Sequence, residues 1–147
     1  MPNSYFFLIT FLLSVGIQQP IKAQQAIDWQ ILSHVKFVQE DQSNRDPVYG
    51  RPIFEPSVKS LAGKEVIIEG FMLPLTVDNQ LYILSRYPFT ECFFCGGGGK
   101  ETVIELILAE DWEFDLDEQV TVKGTLVLVD DPLQISYKLV EAEPVRE

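Results

Sequence analysis

Two glycines, Gly70 and Gly124, stand inside two long β-type runs, and they restrict the fold more than any other feature of the chain. The run from Lys64 to Leu75 places Val66, Ile68 and Met72 on one face and Glu65, Ile67, Glu69 and Phe71 on the other. The run from Val120 to Val129 places Val122, Gly124, Leu126 and Leu128 together. A glycine inside a strand marks a bulge or a sharp bend. Three further runs, Leu81–Ser85, Thr102–Leu108 and Ile135–Ala142, complete a set of five strands, with Ile104, Leu106 and Leu108 on the expected core face of the third. Asp78-Asn79 and Asp130-Asp131-Pro132 supply turns. Long strands in a small barrel must bend to close. The chain therefore reads as mainly β, a small five-stranded OB-like barrel. A β-sandwich is the alternative, but its flatter sheets do not call for glycine at these two places. The stretch from Glu110 to Gln119 leaves little room for a helix between the third and fourth strands.

Residues 1–23 read as a cleaved signal peptide. Tyr5 to Ile17 is apolar and is followed by Pro20-Ile21-Lys22-Ala23, with a small residue at the cleavage point. The run falls short of the roughly 20 residues of a membrane span, and no cysteine follows it to carry a lipid. The expected location is periplasmic or secreted, with no transmembrane segment after cleavage. Residues 24–60 form an N-terminal helix and extended arm, and residues 61–147 the barrel domain. Ile27, Ile31, Val35 and Val38 have helical spacing, which predicts a helix within Gln24 to Gln39 capped by Asp28. Ile31, Val35 and Phe37 also permit an extended segment. Glu40 to Ser57 carries Pro47, Pro52 and Pro56 and reads as an irregular arm pinned by Val48-Tyr49 and Ile53-Phe54. Glu141 to Glu147 is expected to fray.

The formal net charge is −11, and loss of Lys22 with the leader makes the mature chain one unit more negative. Such a surface repels phosphates, which argues against nucleic acid, heparin-like polymers and anionic membranes as partners. Glu110-Asp111 and Asp115 to Glu118 read as solvated surface.

Both cysteines and four of the 9 glycines fall in Glu91-Cys92-Phe93-Phe94-Cys95-Gly96-Gly97-Gly98-Gly99-Lys100. This segment belongs to the connection from Arg86 to Glu101, which exceeds the roughly 15 residues beyond which loops are often functional. Three chemistries compete for Cys92 and Cys95. In an oxidising compartment the pair forms a disulfide, although so small a ring contributes little loop-closure stabilisation. As metal ligands they resemble half of a zinc knuckle. Tetrahedral zinc needs four ligands, so His34 and Glu91 would join them, or the same pair from a second subunit in a homodimer. Copper as Cu(I) accepts thiolates alone. As a redox pair they lack the helix N-terminus that normally lowers a thiol pKa. Binding without any cofactor stands beside zinc and copper. Phe93 and Phe94 point differently, leaving one as a contact, while Gly96 and Gly97 read as part of a flexible turn. The glycines make no phosphate cradle, because no Lys-Ser/Thr and no helix follows. The single His has no partnered nucleophile, so no triad is present.

Several segments, taken in order, resemble a known family. They are Trp29-x-x-Leu32, Pro52-x-Phe54-x-Pro56-x-Val58-x-x-Leu61-x-Gly63-Lys64-x-Val66, Gly70-Phe71-Met72-Leu73-Pro74-Leu75, Val122-x-Gly124-x-Leu126 and Tyr137-x-Leu139. Together they are similar to an uncharacterised family of exported bacterial proteins, a domain of unknown function with an OB-like core. The resemblance covers most of the mature chain and implies a periplasmic or secreted protein associated with transport systems of the cell envelope. It supplies no catalytic residues. Many members carry one Cys, then a His and a proline run, before the third strand. This chain has Cys92-Phe93-Phe94-Cys95-Gly96 there, so this loop is where members differ. The expected function is a non-enzymatic binding or accessory module with an envelope protein partner. A thiol-disulfide oxidoreductase and a scaffold with an inert disulfide are the alternatives.

Overall fold

A computed structural model describes residues 24–39, 50–75 and 81–145. The expected signal peptide at residues 1–23, Pro47, Val48, Tyr49, the expected Asp78-Asn79 turn and the last two residues lie outside them. The elements run β1 (Gln25–Ala26), α1 (Trp29–Leu32), β2 (Val35–Val38), β3 (Arg51–Phe54), α2 (Pro56–Lys59), β4 (Glu65–Pro74), β5 (Tyr82–Ser85), β6 (Val103–Leu108), β7 (Gln119–Leu128) and β8 (Tyr137–Pro144).

The sheet order is β1-β4-β5-β6-β8-β7, and an added β4–β7 pairing closes the last five into a barrel. The β6–β8 pair is parallel and the other barrel pairs are antiparallel. This closed, mixed five-strand barrel matches the OB-like expectation, and its closure rules out the β-sandwich. The two glycines work as close-approach points. At Gly70 a Cβ would lie 2.7 Å from the Ser85 carbonyl oxygen and 3.0 Å from the Trp29 ring. Strand β4 pairs with β7 over Glu65–Phe71, while its other edge passes from β1 at Val66–Ile67 to β5 at Phe71–Pro74. Gly70 stands just before that change of neighbour. Gly124 faces a bulge in β8. Lys123 pairs with Glu143 and Thr125 with Val140, leaving Glu141 unpaired at φ +52°. The extra residue raises local twist and helps the strand turn the barrel corner. Beyond it, β8 runs to Pro144, and the Val145 N–H donates to the Thr121 carbonyl at 2.8 Å. The expected fraying from Glu141 is therefore incorrect for Glu141 to Pro144.

The N-terminal segment differs from the single predicted helix. Asp28 does cap α1, its Oδ1 accepting the Ile31 N–H at 2.9 Å. The helix then ends after one turn, and Val35–Val38 pairs with Arg51–Phe54 as a two-stranded ribbon. Val35, Phe37 and Val38 suit a strand, and cross-strand pairing satisfies their backbone, so tertiary context overrides the local spacing. The arm is correspondingly regular at Arg51–Phe54. Strand alternation buries Phe54 and turns Ile53 outward, 49% exposed, so of those two only Phe54 pins the arm.

The arm plugs the barrel. Leu32, Phe54, Val58 and Leu61 join Val66, Ile68, Met72, Leu84, Ile104, Leu126, Tyr137 and Leu139 in one buried cluster. Trp29 Nε1 donates to the Glu69 carbonyl at 2.7 Å. Tyr137, fully buried, donates its hydroxyl to the Leu32 carbonyl at 2.6 Å and meets the Phe54 ring at 5.6 Å. Burial first, and the Glu101 carboxylate second, hold its phenol far above the ordinary value of 10.0. Below that value the phenol is neutral in both states, and its contribution is complete. Above it the unfolded chain loses a proton that the fold retains, so stability falls as pH rises. Tyr137→Phe should lower stability by about 1–3 kcal/mol at neutral pH, because a buried carbonyl loses its donor. Denaturant melts should show this gap narrowing in alkali as only the wild type loses the phenol contribution.

Candidate functional site

The cysteine loop begins where β5 ends. All four residues of β5 are buried, because both faces of the strand are covered. Tyr82 and Leu84 face the barrel interior, while Ile83 faces out with Leu73 and Val103. These outward residues form a second apolar cluster, and its fourth buried member is Cys92, with no exposed surface. The loop thus folds back over the outside of the barrel, using Cys92 as its apolar foot.

Backbone bonds fix the path. The Arg86 N–H donates to the Thr102 carbonyl at 2.9 Å. A short 3-10 turn follows at Phe89–Glu91, where the Phe89 N–H donates to Asp117 Oδ1 at 2.7 Å. Asp117 lies in the β6–β7 link with φ +61°, and its own N–H donates to the Met72 carbonyl at 2.9 Å. A second 3-10 turn, Phe93–Cys95, wraps the Cys92 carbonyl, which accepts N–H groups from Cys95 at 3.1 Å and Gly97 at 3.0 Å. Both N–H groups thus serve a carbonyl rather than a sulfur. Gly96 has φ +80°, a conformation that favours glycine, and a Cβ on Gly97 would collide with the Glu91 backbone. Gly96 and Gly97 therefore carry a close crossing of the chain against the Glu91 backbone.

Lys100 closes the loop. It is 5% exposed, donates from Nζ to the Pro132 carbonyl at 2.8 Å and lies 5.7 Å from the Phe37 ring centre. Burial pulls its pKa below the ordinary lysine value, and the Asp131 carboxylate partly counters this. Asp131 is itself held below the usual carboxylate range by the Leu133 N–H first and the Gln134 side chain second. The lysine ammonium thus pins the β7–β8 turn, and the charge goes to Pro132.

Of the predicted site residues, Cys92 and Cys95 come together without a disulfide, the Cys95 N–H donating to the Cys92 carbonyl at 3.1 Å. Cys95 is exposed, and its pKa is pushed up by local desolvation first and by Cys92 second. Phe94 is 44% exposed beside it. The Phe93 side chain lies outside the described part of the structure. Glu91 is exposed in the first 3-10 turn. His34 Nδ1 instead pairs with Ser57 Oγ at 3.1 Å. Among the described residues no three His, Cys, Asp or Glu side chains gather to hold a metal ion, so the four-ligand zinc set is not assembled within this chain. The sequence reading missed Asp117 and Lys100 as anchors. Asp117 sits in an acid run taken as plain surface, and only its left-handed backbone distinguishes it. Lys100 had a readable signal, a lone cation directly after the glycines.

The comparisons add a fold neighbour. No family model and no curated protein matches the chain. Its structure is similar to that of a DUF3299 family protein from Pseudomonas aeruginosa, with 16% sequence identity and a TM-score of 0.53, over 85% of this chain and 98% of that one. That likeness is one of fold, and the neighbour's domain of unknown function fits the resemblance drawn from the sequence. No helix among the described residues is long and apolar enough to cross a membrane.

The loop geometry is testable by itself. Gly97→Ala should destabilise the protein by about 1–3 kcal/mol, the cost of overpacking against fixed backbone. It should also make Cys92 reactive to iodoacetamide in the native state, measured by peptide mapping after brief alkylation.

Proposed function

We propose that this protein is an exported, non-enzymatic binding or accessory module of the cell envelope whose contact site is the cysteine loop. One observation carries the reading: a loop anchored at Cys92, Asp117 and Lys100 displays Cys95 and Phe94 to solvent. An anchored loop offers a partner a surface with little left to order on binding. A thiophilic ion such as Cu(I) is the small ligand that best suits two adjacent thiols without further ligands. Thiol-disulfide catalysis is less favoured, because the exposed thiol is pushed up rather than down and the nearby lysine is committed to Pro132.

Titrating the reduced mature protein with Cu(I) against a chromogenic Cu(I) chelator tests the metal version. One equivalent should bind per chain, and Cys95→Ser should abolish it. Uptake by the wild type no greater than by a variant lacking both thiols would refute it.

A further inference from the structure

We propose that the cysteine loop is a redox gate that oxidises in a fixed order, with Cys95 as the point of entry and Cys92 as the internal thiol that closes the bond. The inference rests on the binding reading above, because closure would remove both thiols from the contact site. The two sulfurs are neighbours in unequal surroundings. Cys92 has no exposed surface and is packed with Leu73, Ile83 and Val103, whereas Cys95 is exposed. An external disulfide can therefore reach Cys95 while Cys92 stays covered. The turn between them is already made, since the Cys92 carbonyl holds the N–H groups of Cys95 and Gly97. Oxidation thus joins groups that the fold has placed together, and intramolecular attack gains from that proximity.

The oxidant is a disulfide, either a small molecule or a protein. The Cys95 thiolate, having released its proton to solvent, attacks one sulfur of the oxidant. The oxidant's S–S bond breaks, one half leaves as a thiolate that takes up a proton, and the other half remains on Cys95 as a mixed disulfide. Cys92 then loses its proton and attacks Cys95 Sγ. The Cys92–Cys95 bond forms, and the second half of the oxidant leaves as a thiol. In balance, two protein thiols lose two electrons and two protons, and one external disulfide becomes two thiols. Exposed Phe94 and Phe89 lie on the same loop, so a closed and an open pair would present this apolar surface differently to a partner.

The test uses the reduced mature chain and glutathione disulfide, with an acid quench, intact mass and peptide mapping. The wild type should lose two hydrogens and retain no glutathionyl group. Cys92→Ala should accumulate one glutathionyl group on Cys95, and Cys95→Ser should accumulate none over the same time. As a check free of any variant, brief alkylation of the native reduced wild type should modify Cys95 roughly tenfold or more faster than Cys92, as burial requires local opening first. Equal alkylation of the two thiols, glutathionylation of Cys95→Ser as fast as of Cys92→Ala, or a wild type that stays fully reduced would each overturn the proposal. Metal and partner are absent from this assay, so its failure is distinct from failure of the Cu(I) titration.

Discussion

Burial of the Cys92 side chain on the outside of the barrel is the contact from which the loop architecture follows. Leu73, Ile83 and Val103 face away from the barrel interior, and without a cover they would form an apolar patch. Each such side chain is worth about 1.5–3 kcal/mol when fully buried. Cys92 supplies the cover, and a small, soft side chain suits a site already filled by branched residues. To bring Cys92 there, the chain must double back on itself within a few residues. That requirement accounts for Gly96 at positive φ, for Gly97 against the Glu91 backbone, and for the two N–H groups gathered on the Cys92 carbonyl. The exposed position of Cys95 is a consequence of the same turn.

The barrel that carries this loop is completed by its own N-terminal arm. Leu32, Phe54 and Val58 enter the core from outside the five barrel strands. The Tyr137 hydroxyl bond to Leu32 and the Trp29 bond to Glu69 lock that plug with two polar contacts of fixed direction. The bidentate Arg51–Asp130 pair adds a further link at 2.8–2.9 Å, but it is exposed, and such pairs are worth about 0–1 kcal/mol. Lys100 connects the two systems, since it leaves the cysteine loop, crosses the Phe37 ring of the ribbon and ends on the β7–β8 turn. Loop and plug are therefore coupled through one buried cation.

Much of the barrel was legible because its strands obey a two-residue period and its glycines fall where the chain must pack closely. Val66, Ile68, Met72, Ile104, Leu106, Val122 and Leu126 are all buried as their alternation predicts. The arm was harder to read, because the spacing of Ile27, Ile31, Val35 and Val38 fits a helix, and only the distant partner Arg51–Phe54 decides for a ribbon. The same limit applied at the site. Cys-x-x-Cys announces two neighbouring sulfurs but not that one is buried beneath the loop, because that depends on the outward residues of three separate strands. Asp117 was hidden for a similar reason, its function being set by a backbone turn and a contact with Phe89 across the fold.

The cysteine loop is thus docked on the barrel as an ordered platform, held at Cys92, Asp117 and Lys100. Native-state hydrogen exchange of the reduced protein tests that claim most directly. The Cys95 and Gly97 amides, both bonded to the Cys92 carbonyl, should exchange slowly and as a unit with the Phe89 amide. Exchange of the Cys95 and Gly97 amides at the rate of an unstructured peptide, with the barrel strands still protected, would contradict the account.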